Sequence, residues 1–215
     1  MKRLLYVALL CLASSISKAQ AIVTLNPPFA NGSSSVTLTY NADQGNGQLA
    51  NLPAGTIVYA HMGITVNGQN WQYVVGNWGT IDNRTAMTRI GNSNQYTLSL
   101  NPSIREWFQT NNNGAQQIPG NATISKLCLV FRNATGSLEG KTSTNGDIFI
   151  DLSTSAFDAA ITSHPQTSLL VNNNQSIQFT GQSSAPSILE FTLDGASVAN
   201  QTNATVLNYS VNTAS

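Results

Sequence analysis

Apolar and polar residues alternate with period two along most of this chain, the pattern of half-buried strands. Val36, Leu38 and Tyr40 share one face, with Thr37 and Thr39 on the other. Ile57, Tyr59 and His61 alternate in the same way, as do Trp71, Tyr73 and Val75, and Tyr96, Leu98 and Leu100. Residues 127–131 and 147–152 complete the set. Asn31-Gly32, Asn46-Gly47, Asn67-Gly68 and Asn145-Gly146 punctuate these runs, and Asn-Gly pairs tolerate the positive φ of tight turns. Short strands separated by turn signals predict an all-β, antiparallel sandwich over residues 20–152.

One segment breaks the alternation. Ile104, Trp107 and Phe108 fall at i, i+3 and i+4. Pro102 stands early, and Glu106 follows Ser103 by three residues, the capping-box spacing. A single short helix is predicted there, with its apolar stripe docked on a sheet edge. Residues 109–118 form an Asn/Gln-rich loop.

A second pattern begins after a linker of small residues at 153–163. Apolar runs at 168–171, 176–179, 188–193 and 206–211, with Asp194-Gly195 as a turn, predict a partial immunoglobulin-like sandwich over 164–215. A complete one needs about seven strands and about 100 residues. The chain is therefore expected to be the N-terminal part of a longer protein.

The first nineteen residues read as an export signal. Met1-Lys2-Arg3 is basic, an apolar run of about ten residues follows, and Ser17-Lys18-Ala19 places small residues before Gln20. That run is about half of what a membrane span requires, so no transmembrane segment is expected. Cys11 follows Leu10 rather than a small residue, which does not suit a lipoprotein signal.

Charge then narrows the partners. Only 8% of the 215 residues are charged, with nine basic and nine acidic. Removal of 1–19 leaves six basic against nine acidic, so there is no basic excess to neutralise phosphates and no nucleic-acid partner is expected. Amides replace charge, with 25 Asn alone, a composition that suits a loop-rich secreted β-protein. Cys128 is the one cysteine left and cannot form an intramolecular disulfide; inside an apolar run it reads as a small core residue.

Catalytic and metal chemistry find little support. The two histidines, His61 and His164, lie in different modules, so no zinc spacing exists. Asn145, Asp147 and Asp151 lack a calcium-loop pattern. No cofactor is implied. There is no Gly-x-Ser-x-Gly elbow and no Gly-rich phosphate loop. The acids Asp43, Asp82, Glu106, Glu139, Asp147 and Asp151 are dispersed, and nothing pairs two of them for glycoside hydrolysis.

Glycan binding fits the residues better. Sugar rings stack their apolar faces on aromatics and offer hydroxyls to uncharged polar groups. Trp71, Tyr73 and Trp78 fall within eight residues, and Trp78 lies in a Gly-Asn-Trp-Gly loop with less reason to be buried. Trp71 and Tyr73 fit a second reading equally, as filling of the sandwich core. Trp107 reads as the helix dock.

The segments Gly55-Thr-Ile-Val-Tyr-Ala-His-Met-Gly63, WQYVVGNWG (71–79), AMTRIG (86–91), QYTLSLNPSIREWF (95–108), LCLVFRNATGSLEGK (127–141) and GDIFIDL (146–152) carry a resemblance. Together they resemble the N-terminal β-sandwich of secreted α-amylases of Bacteroidetes-type bacteria. Those enzymes continue with immunoglobulin-like repeats and a glycoside hydrolase family 13 barrel. The layout is also similar to small starch-binding modules. The resemblance implies an α-glucan or starch partner, a catalytic domain further along the same chain, and binding residues at His61, Trp71, Trp78 and Asn133, with Tyr73 beside them. An aromatic would be commoner than His61 in such modules. A barrel needs about 250 residues, so the resemblance implies a non-catalytic region here. Two alternatives stand beside it: a structural spacer or interdomain module, and a secreted glycan-binding or adhesion protein without enzyme activity.

Overall fold

The predicted alternation becomes strands in the computed structural model, which describes residues 21–155, 157–163 and 174–212. The first module runs β1 (Val23–Asn26), β2 (Val36–Asn41), β3 (Tyr59–Val66), β4 (Gln69–Val75), β5 (Thr88–Arg89), β6 (Gln95–Leu100), α1 (Ile104–Asn111), β7 (Ile124–Arg132), β8 (Glu139–Gly140) and β9 (Ile148–Asp151). One sheet has the order β1-β2-β6-β5; the other has β4-β3-β7-β8, with β9 also paired to β7. All pairings are antiparallel, and the fold is all-β and sandwich-like.

Alternation decides which residues meet between the sheets. Val36, Leu38 and Tyr40 of β2 face Ala60, Met62 and Ile64 of β3 and Leu127, Leu129 and Phe131 of β7 in one buried cluster. Tyr40 stacks on Phe131 with ring centroids 3.8 Å apart and planes 14° apart. The opposite faces of β3 and β7 therefore carry Tyr59, His61, Gly63 and Thr65, and Lys126, Cys128, Val130 and Arg132. Cys128 is buried as expected, but on this outer face and outside the core cluster.

The helix forms where its cap predicts. Ser103 is the N-cap, and its hydroxyl accepts from the Glu106 N–H at 3.1 Å. Ile104, Trp107 and Phe108 are buried in the core. The helix runs three residues past the predicted end. Asn112 then fastens the following loop: its amide donates to the carbonyls of Phe108, Gln109 and Gln116. Asn113 N–H continues to the Val74 carbonyl at 2.8 Å, which fixes the helix end against β4.

The second module contains β10 (Ala159–Ile161), β11 (Ser176–Leu193) and β12 (Ala196–Asn212), in the order β10-β11-β12. Asp194 and Gly195, at φ 51° and 82°, make the tight turn that the sequence signals. Phe179 and Phe191 lie twelve residues apart on β11, yet their centroids are 6.4 Å apart. A straight strand would separate them by about 40 Å. The hairpin doubles back between Gln182 and Ser187, where the register jumps. The apolar runs 176–179, 188–193 and 206–211 are thus arms of one folded hairpin. The segment 153–163 is not only a linker: Ala159–Ile161 pairs with β11. That strand is only three residues long, Ala-Ala-Ile, and exposed throughout, so it shows no buried face by which the sequence would reveal it. The signal segment 1–19, the run 168–171 and His164 lie outside the described residues.

Candidate functional site

The site grows from a distortion of β4. Its pairing with β3 advances two residues on β3 for three on β4, twice: Met62 faces Val75, Ile64 faces Gln72, and Val66 faces Gln69. Each shift places one extra residue on β4, a β-bulge. Trp71 and Tyr73 take up the distortion at φ 57° and 52°. Bulky residues enter this left-handed region at a cost of about 1–3 kcal/mol each, and such outliers cluster at functional positions. The Asn67-Gly68 turn, at φ 50° and 81°, joins the two strands.

The bulges separate three residues that simple alternation puts on one face. Val75 enters the core and Tyr73 packs against its edge, with its hydroxyl donating to the Gln117 carbonyl at 3.3 Å. Trp71 folds over the outer face instead. Its backbone N–H reaches Cys128 Sγ at 3.4 Å, and its indole Nε1–H donates to Asp147 Oδ2 at 3.0 Å. Gly63 lies beneath it; a Cβ there would stand 3.0 Å from Trp71 Cε3.

His61 links the two tryptophans. Its ring stacks on Trp71 at 5.4 Å and meets Trp78 edge-to-face at 5.5 Å. Its Nδ1 lies 2.8 Å from the Gly76 carbonyl, a bond that sets Nδ1 as the protonated nitrogen and leaves Nε2 as an acceptor. Burial holds the His61 pKa below its ordinary value; the Gly76 bond opposes that. Trp78 is 45% exposed.

Two arginines hold the Trp78 loop. Arg132 is 0% exposed, and its guanidinium donates to the carbonyls of Asn77 and Thr80 on one side. On the other side it donates to those of Asn133 and Ala134. Its plane lies over the Tyr59 ring at 5.0 Å. Arg84 grips Asp82 through Nε and Nη2, at 2.9 and 2.6 Å, and holds its carboxyl below the usual carboxylate range. The same guanidinium reaches the Asn111 carbonyl at 2.6 Å, so the loop is tied to the end of α1. Gly136 stands directly against the Trp78 ring: a Cβ there would lie 2.7 Å from Nε1.

Of the five candidates, His61, Trp71 and Trp78 come together. Tyr73 lies apart at the core edge. Asn133 spends its side chain on its own turn: Oδ1 accepts from the N–H groups of Ser137 and Leu138, and Nδ2 donates to Ser137 Oγ. Its loop nevertheless abuts the cluster through Gly136. Further residues build the site, among them Gly63, Asp147, Arg132, Arg84 and Gly136. Gly63 carried a legible signal, since an isolated Gly inside a strand marks close backbone approach.

Among the described residues no group of three His, Cys, Asp or Glu could hold a metal ion, and no helix is long and apolar enough to cross a membrane. Fold and site together define an all-β, sandwich-like module with an aromatic cluster on the outer face of its β4-β3-β7-β8 sheet. No protein-family model and no curated protein matches the chain.

Proposed function

We propose that the first module is a non-catalytic glycan-binding unit that recognises α-glucan through Trp78, His61 and Trp71. The observation that carries this is Trp78: a large apolar ring left 45% exposed on a loop that a buried arginine and a bidentate ion pair hold rigid. A pre-organised ring loses little freedom when a ligand stacks on it. His61 Nε2, beside Trp78, and the Asp147 carboxylate, beside Trp71, offer acceptors to sugar hydroxyls. Trp71 supports the face more than it contacts ligand, since Asp147 and Gly63 fix it in place. The proposal extends to the parent protein as a secreted, α-amylase-like starch-degrading enzyme whose catalytic domain follows in the same chain.

Electrophoresis in gels cast with and without amylopectin tests this. The protein should be retarded by the polysaccharide, and the Trp78→Ala variant should not. Equal migration of the native protein in both gels would sink the reading.

A second reading, a docking face for another domain of the same chain, is favoured by Ile81. It stands 72% exposed in the Trp78 loop. On that reading Ile81→Ser loosens domain docking and leaves glucan retention unchanged.

A further inference from the structure

We infer that the groove beside Tyr59 is a second carbohydrate subsite, so that the module takes an oligosaccharide rather than a single sugar ring. This rests on the glycan-binding reading above and adds a ligand-length requirement to it. The groove has a volume of about 330 Å³ and runs between 55–59 and the loop 133–135. Tyr59 lines it while only 2% exposed, and its hydroxyl makes no hydrogen bond among the described residues. A nearly buried phenol left unpartnered at a groove is a donor and acceptor available to a polar ligand. Ile57, 47% exposed, supplies the apolar wall on which the face of a sugar ring can rest. Thr56 and Thr135 line the same groove; the Thr135 hydroxyl is bonded within its own turn to Asn133 Oδ1 and Ser137 Oγ.

The groove and the Trp78 face are neighbours by construction. Residues 133–135 line the groove, and Gly136, the next residue, stands against the Trp78 ring. Four residues of chain span at most about 13 Å. Arg132 builds both walls at once, since it lies over the Tyr59 ring and bonds carbonyls of both loops. No charged side chain lines the groove, which suits a neutral glycan.

Calorimetric titration with α-1,4-linked glucose oligomers, from the disaccharide to the heptasaccharide, tests the subsite. Affinity should rise with chain length in the native protein. Tyr59→Phe should weaken the heptasaccharide about fivefold, the effect of one hydrogen bond, and leave the disaccharide unchanged. Ile57→Ser should act in the same direction. If the native protein binds every length equally and both variants match it, the second subsite is wrong while the Trp78 site stands. If Tyr59→Phe weakens all lengths equally and lowers the melting temperature, Tyr59 acts through Arg132 on the Trp78 face, and the subsite is again overturned. If the native protein binds no oligomer, the glycan-binding reading falls as well.

Discussion

Gly63 and Trp71 are shaped to one another: the bulged β4 backbone folds over the outer face of its own sheet at the one position on β3 that has no side chain. A Cβ on Gly63 would lie 3.0 Å from Trp71 Cε3 and 3.1 Å from its Cα. The second distance matters more, because a backbone atom cannot rotate away. Gly63 does not adopt positive φ, so its freedom of conformation is not the reason for it; space is.

Gly63→Ala should therefore destabilise the module. The smaller unfolded-state entropy of alanine contributes about 0.4–1 kcal/mol the other way. Overpacking against a backbone costs about 1–3 kcal/mol and wins. Chemical denaturation checks the sign, and the indole emission should shift as Trp71 moves. A variant as stable as the native protein would show that the bulge yields freely.

The two tryptophans of the face should part company on truncation. Trp71→Ala removes a half-buried ring and an indole donor to Asp147, and should cost about 3 kcal/mol. Trp78→Ala should cost about 1 kcal/mol or less, given its exposure, but weaken glucan retention about tenfold or more. Melting curves run beside affinity gels separate the two effects. Loss of stability without loss of retention at Trp78 would favour the docking reading.

The fold of the first module was legible because its strands alternate and its helix carries its own cap. The face was legible only in part. The run 71–75 reads as simple alternation, yet two bulges send Trp71 outward and Val75 inward. Bulges leave no signature in side-chain polarity, so only the isolated Gly63 hinted at them. Arg132 closes an apolar run and looks like an ordinary strand-end charge; its four carbonyl partners, Asn77 and Thr80 on one side and Asn133 and Ala134 on the other, come from loops far apart in the chain, which no local pattern reveals. The long hairpin of β11 and β12 read as separate strands because the sharp bend after Gln182 interrupts the apolar run.

Acid should weaken the fold through His61. Burial is the largest influence on it and lowers its pKa; the Arg132 charge lowers it further, while the Gly76 carbonyl and the Asp147 carboxylate raise it. The unfolded chain, with an ordinary value of about 6.5, then binds more protons than the folded chain below that pH. Stability is fully present above about pH 6.5 and declines as pH falls toward the lowered folded value. His61→Gln should flatten this slope in urea midpoints measured between about pH 7 and 5. Unchanged pH dependence would assign the slope elsewhere.

Tyr40→Phe should be neutral or stabilising by up to about 1 kcal/mol. The Tyr40 hydroxyl is buried with no hydrogen-bond partner among the described residues, and burial pushes its phenol well above the ordinary value. Phenylalanine keeps the stacking on Phe131 and removes the unsatisfied group. Thermal unfolding checks this, and a clear loss of stability would mean that the hydroxyl has a partner in solution.

The most direct measurement follows the three indole N–H resonances of the ¹⁵N-labelled protein while maltoheptaose is added. The Trp78 resonance should move most and Trp71 less, since its N–H is held by Asp147. Trp107, buried under the helix, should stay in place. If none of the three moves at millimolar oligosaccharide, the aromatic face does not bind glucan and the account is contradicted.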